Sequence, residues 1–301
     1  MAEELVDVGN GVTLCYEQFG DPADPPVLLI MGLGMQMIGW PDELCAEIAK
    51  RGLHVVRFDN RDVGRSTYFD EVPPPTLWQI LTRRFRPDQY RISDMAGDTA
   101  RLLRKLELAP AHVVGASLGG MVAQMVAAEH PDVVRSLVSI MANTGHPWKG
   151  QPKPRMLRWL LRPAPTDREE YIERYADLFR AIGSPVYQPD RERLLADGAR
   201  AYDRGLNPAG TGRQFGAILA SGNRARQVRT IRTPTLVVHG TADPLVRPSG
   251  GRETARLVPG ARLLMLEGMG HDLPPALWPQ LLDAIVAHVE AADAAASGAA
   301  A

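Results

Sequence analysis

Six short apolar runs recur along the chain: "VLLIMG", "LHVVRF", "AHVVGA", "VRSLVSIMA", "TPTLVVHG" and "ARLLMLEG". Runs that are apolar at nearly every position, rather than at alternate ones, are strands buried on both faces. Such strands need helices on both sides of the sheet, and strand-helix alternation makes that sheet mostly parallel. The intervening stretches supply the helices: "PDELCAEIAKRG", "SDMAGDTARLLRKLEL" with Ser93 as its N-cap, residues 118–130, "SGGRETARLV" and "PPALWPQLLDAIVAHVEAA". Ahead of them, "LVDVGNGVTLCYEQFG" alternates about an Asn-Gly pair and reads as an antiparallel hairpin. The expected fold is a doubly wound α/β sheet with that hairpin at its N-terminal end.

The rhythm breaks between about residues 146 and 228, after the sixth strand. There "RMLRWLLR", "TDREEYIERYADLFRAIG" and "PDRERLLADGARAYDRG" are helical in spacing, with Tyr171, Tyr175, Leu178 and Phe179 on one face. The expected organisation is a core of residues 1–145 and 229–290, a helical cap over 146–228, and a flexible Ala-rich tail over 291–301.

Charge and composition narrow the partners. A formal net charge of -1 argues against a nucleic-acid partner, which requires a basic field. The apolar runs are too short for a membrane span. The opening "MAEELVDVGNGVTL" has neither a basic nor an apolar segment of an export signal, so a cytoplasmic location is expected. Cys15 and Cys45 lack the spacing of a metal site or a disulfide framework and read as buried free thiols. No metal and no cofactor is expected, and a monomer and a homodimer are both compatible with the sequence.

The chemistry centres on "HVVGASLGGMVAQ", where a G-x-S-x-G pattern joins a buried strand to a helix. With nine serines and 28 glycines in the chain, chance alone supplies about 0.08 such matches. At this junction the serine is held in a strained turn that lifts its hydroxyl above the sheet edge. A serine hydroxyl is a poor nucleophile at neutral pH and needs a base and an orienting acid. Asp243 follows the strand "TLVVHG" and His271 follows "ARLLMLEG", in the chain order and at the sheet edge such an arrangement requires. Two backbone N–H groups, of Leu118 after the serine and of Leu33 in the turn "MGLG", are the expected donors to an oxyanion. Met35, Trp40, Met141, His146 and Trp159 are the candidate pocket residues. The polar turn "DNRDVGRST" is expected to brace the loops through Asp59, Arg61 and Ser66.

With these residues in place, the sequence resembles α/β-hydrolases with a helical cap. The stretches "FGDPADPPVLLIMG", "GLHVVRFDNRDVGRST", "AHVVGASLGG" and "GMGHDLP" are similar to those of the aclacinomycin methylesterase group. The resemblance implies hydrolysis of a small-molecule ester, small to medium and hydrophobic or a methyl ester, by Ser117, His271 and Asp243. This chain has Met31-Gly32 where the family often has His-Gly, which leaves a backbone donor at Leu33 unaffected. Perhydrolysis, carbon–carbon bond hydrolysis and slow-turnover ligand sensing are the other uses of the same three residues.

Overall fold

The computed structural model describes residues 2–160 and 165–300. β1 (Glu4–Gly9) and β2 (Val12–Phe19) form the hairpin, with Asn10 and Gly11 at φ 56° and 73° in its turn. That is the left-handed backbone an Asn-Gly pair accommodates. The elements β3 (Pro26–Ile30), α1 (Asp42–Ala49), β4 (His54–Phe58), α2 (Leu77–Thr82), α3 (Ile92–Lys105), β5 (Ala111–Ala116), α4 (Leu118–Glu129) and β6 (Val134–Ile140) follow. Next come α5 (Pro154–Leu160), α6 (Arg168–Ile182), α7 (Arg191–Arg204), α8 (Pro208–Ser221) and α9 (Ala225–Val228). The chain closes with β7 (Thr235–Gly240), α10 (Ser249–Leu257), β8 (Arg262–Leu266) and α11 (Trp278–Ala300).

The eight strands lie in the order β1-β2-β4-β3-β5-β6-β7-β8, antiparallel only where β2 pairs with β1 and β4. Side chains alternate across the sheet as strand geometry demands. In β3, Leu28 and Ile30 enter the core under α3 and α4, while Val27 and Leu29 enter the core under α1 and α11. The chain winds one way after β3 and the other after β5, although these strands are neighbours. A crevice opens at such a reversal, beyond the C-terminal ends of the strands.

Three details differ from the sequence reading. Ser93 lies inside α3 and donates to Glu129 at 3.1 Å; the start of the helix is closed by the Asp94 carboxylate, which accepts the Arg91 N–H at 2.6 Å. Residues 291–300, expected to be a flexible tail, continue α11. Alanine is the strongest helix former, Ala292 is buried, and Asp293 anchors the segment to Arg135 at 3.2 Å. Helices α2 and α8 were not expected, because prolines precede the first and glycines interrupt the second. The last residues of "RMLRWLLR", 161 and 162, fall outside the described residues.

The segment between β6 and β7 begins and ends at one place. The Arg224 N–H donates to Thr144 at 2.7 Å, and its guanidinium donates to the Asn143 carbonyl at 3.0 Å. Helix α8 is tied to the sheet domain by a buried ion pair, in which Arg213 grips Asp62 at 2.7 and 2.9 Å while the Tyr90 hydroxyl donates to the same carboxylate at 2.8 Å. Gln214 on α8 donates to the Arg61 carbonyl and accepts the Gly34 N–H, both at 2.8 Å. Removing one partner of a buried pair strands the other charge, which costs about 3–5 kcal/mol. Arg213→Ala is therefore expected to lower unfolding free energy by about that amount in urea titration.

Candidate active site

The strand β5 is buried along its whole length, and the chain must turn sharply after Ala116 to start α4. Ser117 makes that turn at φ 56° and ψ -119°, a conformation that costs a non-glycine residue about 1–3 kcal/mol. The flanking glycines follow from how closely the helix sits on the sheet. A Cβ on Gly115 would lie 2.1 Å from the Gly119 carbonyl oxygen, and one on Gly119 would lie 2.1 Å from that of Ile30. No side chain fits at either position.

The strained turn lifts the Ser117 hydroxyl to the sheet edge, where His271 meets it. Oγ of Ser117 lies 2.9 Å from His271 Nε2, and His271 Nδ1 lies 2.7 Å from Asp243 Oδ2. A carboxylate beside Nδ1 requires that nitrogen to carry the hydrogen, which leaves Nε2 free to accept the serine proton. Asp243 is buried, and its Oδ1 accepts the N–H groups of Leu245 and Val246 at 2.8 Å each. Burial pushes its pKa up, but the charge of His271, the hydrogen bond it gives and the nearby His239 outweigh burial and hold it at about 2. His239 stands behind the acid, fully buried, and its Nε2–H donates to the Val246 carbonyl at 2.7 Å.

The loop after β3 completes the edge. Gly32 packs against Ser117, close enough that a Cβ there would sit 3.2 Å from the serine Cβ. Leu118 is the first residue of α4, so its N–H has no acceptor within the helix. Among the described residues neither it nor the Leu33 N–H meets a protein acceptor. The "DNRDVGRST" turn holds this loop from below. The Asp59 carboxylate accepts the Met37 N–H at 2.7 Å and the Arg65 N–H at 2.9 Å, and Asn60 donates to the Met31 carbonyl at 3.1 Å. Arg61 is bound to Asp98 at 2.5 and 2.8 Å, and the Ser66 hydroxyl donates to the Asp59 carbonyl at 2.6 Å.

The candidate pocket residues divide. Trp40 is 1% exposed and Met141 3% exposed, and both are packed into the core under α1 and α11. Trp40, a candidate for its place near the loop after β3, is thereby withdrawn into core packing. His146 is turned inward on its own loop, where Nδ1 accepts the Trp148 N–H at 3.1 Å and the Lys149 N–H at 3.3 Å. Met35 is half-buried in the loop after β3, and Trp159, also half-buried, lines a cavity of about 450 Å3 beside the loop carrying Asp243.

Several residues that shape the site carry no sequence motif. The Ser184 hydroxyl accepts the Gly270 N–H at 2.8 Å and donates to Asp272 at 2.5 Å, and the His271 N–H donates to the Ile182 carbonyl at 2.8 Å. The end of α6 thus fixes the loop bearing the imidazole. Arg204 on α7 reaches Asp59 at 2.7 Å and Gln36 at 2.8 Å. Arg204 lies on a helix whose spacing the sequence shows, but Ser184 sits in the loop after α6, where nothing in the sequence marks it.

Residues 25–274 match the model of the alpha/beta hydrolase fold family, and the chain belongs to that family. Rhodomycin D methylesterase DnrP of Streptomyces peucetius is 32% identical over 307 aligned residues, covering 93% of this chain and 96% of the relative. Among solved structures, an enol-lactonase from Burkholderia xenovorans LB400 superposes with a TM-score of 0.73 at 21% identity, covering 95% of this chain and all of that one. The meta-cleavage product hydrolase CumD of Pseudomonas fluorescens IP01 superposes with a TM-score of 0.72 at 20% identity, covering 96% and 98%. Among the described residues no helix is long and apolar enough to cross a membrane.

Asp243 gives the site a pH signature. Its folded pKa lies below the unfolded carboxylate value, so its stabilising contribution is complete above pH about 4 and is lost as pH falls toward about 2. Asp243→Asn is expected to remove that part of the acid unfolding profile, measured by circular dichroism from pH 7 to pH 2.

Proposed function

We propose that this protein is a serine carboxylesterase that hydrolyses a small to medium hydrophobic ester or a methyl ester through an acyl-enzyme. The observation that carries the reading is the continuous relay from Asp243 through His271 to Ser117, at 2.7 and 2.9 Å, ending on a serine in a strained turn. The relation to a named methylesterase over nearly the whole chain supports an ester as the substrate class.

His271 Nε2 takes the Ser117 proton as Oγ attacks the ester carbonyl carbon. Asp243 holds the imidazole in the required tautomer and stabilises the imidazolium that forms. The carbonyl oxygen becomes an oxyanion that accepts the N–H groups of Leu33 and Leu118. Donors of this kind are each worth about 2.7–4 kcal/mol in the transition state. Collapse of the tetrahedral species expels the alcohol, which leaves with the proton from His271. Water then enters, gives a proton to the same nitrogen and attacks the acyl carbonyl; collapse releases the acid, and His271 returns that proton to Ser117 Oγ. In this reading the helices between β6 and β7 act as the cap that shapes the substrate space. Buried free thiols at Cys15 and Cys45 fit a reducing, cytoplasmic setting.

A chain-length series of p-nitrophenyl esters tests the proposal. Wild-type protein is expected to turn over, with Ser117→Ala and His271→Ala each lowering kcat by about 10⁴-fold or more. A pre-steady-state burst of p-nitrophenol is expected wherever deacylation is slow. Full activity in Ser117→Ala would exclude the serine as nucleophile.

A further inference from the structure

The cavity of about 450 Å3 beside the Asp243 loop has a composition that ester hydrolysis does not explain. Lys153 and Arg155, at the start of α5, and Arg180, near the end of α6, converge on it, and among the described residues its lining contains no carboxylate. None of the three cations has a side-chain hydrogen bond or ion pair within the described chain. Other exposed cations meet a carboxylate, as Arg86, Arg168, Arg191 and Arg256 do at 2.7 Å or closer, or stand singly on the surface, whereas these three share one concavity. Three unbalanced positive charges around one concavity repel one another and focus a positive potential into it. An anion entering there relieves the repulsion and meets donors from two separate helices. Apart from Gln188, the rest of the lining is apolar or small: Trp159 forms one wall, and Pro185 and Pro244 contribute others.

The position ties the cavity to the reacting groups. Ala242 and Pro244, which flank Asp243 in the chain, line it, as does Gly183, next to the Ser184 that anchors Gly270 and Asp272. The Lys153 N–H donates to the Pro244 carbonyl at 2.9 Å, so the cationic segment is fastened directly to the acid loop.

We propose that this cavity binds the oxyanion group of an organic ligand, with a flat apolar body of the ligand lying against Trp159. The anion is either a remote carboxylate of the ester substrate itself or a separate effector. The first alternative deepens the esterase reading and rests on it, whereas anion binding as such does not.

Calorimetric titration with naphthalene-2-carboxylate and with its neutral amide, naphthalene-2-carboxamide, tests the site. Wild-type protein is expected to bind the carboxylate at least about tenfold tighter than the amide, as one charge-assisted contact allows. In the Arg155→Gln/Arg180→Gln variant that preference is expected to fall close to unity, and Arg155→Lys/Arg180→Lys is expected to restore most of it. Equal binding of acid and amide by the wild type, or a preference that survives the glutamine variant, overturns the proposal. Retained preference in the lysine variant separates loss of charge from loss of fold.

Kinetics then assign the source of the anion. If it belongs to the substrate, the ratio of kcat/KM for p-nitrophenyl hydrogen glutarate to that for p-nitrophenyl pentanoate drops in the glutamine variant. If it is an effector, naphthalene-2-carboxylate alters pentanoate hydrolysis without competing with it. Selective carboxylate binding by a protein that hydrolyses neither ester would sink the esterase reading and leave the anion site standing.

Discussion

The closeness of α4 to strands β3 and β5 governs everything at the C-terminal edge of this sheet. With a carbonyl oxygen 2.1 Å from where each Cβ would be, Gly115 and Gly119 let the helix begin directly on top of the strand. That proximity forces Ser117 into its positive-φ turn and leaves the Leu118 N–H pointing out of the helix start without an acceptor. The same approach presses Gly32 of the β3 loop against the serine. The raised Ser117 hydroxyl, the unpaired Leu118 N–H and the backbone strain thus have one cause, the separation between a helix and the sheet beneath it.

A second layer of polar contacts keeps that edge rigid. Buried carboxylates Asp59 and Asp62 lie under the loops, and each is satisfied by a mixture of backbone N–H groups and an arginine from the inserted helices. Buried charge of this kind is tolerated only when every oxygen has a partner. The inserted helices are therefore bound to the site through its own supports: Arg204 to Asp59, Arg213 to Asp62, and Gln214 to the loop at Gly34. On the opposite side, Ser184 and the Ile182 carbonyl hold the loop that carries His271. Movement of α6 or α8 would displace the imidazole loop or the β3 loop with it.

Much of this was legible in the linear chain because its causes are local. Five of the buried strands declare themselves by unbroken apolar runs, although the sixth such run forms β8 at the sheet edge and is only half covered; the hairpin shows in Asn10-Gly11, and the strand-to-helix turn in glycines two residues either side of Ser117. Asp243 and His271 could be placed because each follows a strand, and parallel strands put all such positions at one edge. Arg204, Arg213, Gln214, Ser184 and His239 could not be found this way. Each acts on a partner more than eighty residues away in sequence or, as with His239, through an orientation that strand alternation alone does not distinguish from packing. Trp40 shows the same limit, since an apolar side chain near a loop has the same sequence signal whether it faces substrate or core.

By itself, then, the sequence determined the layer architecture, the strand-turn-helix junction and the order of Ser117, Asp243 and His271, because hydrophobic period and backbone sterics act over a few residues. Tertiary structure alone decided how the insertion grips the sheet domain, which aromatic side chains are withdrawn into the core, and where Lys153, Arg155 and Arg180 converge. Those outcomes depend on burial and on charge pairing between distant segments, and neither is a property of any segment taken alone.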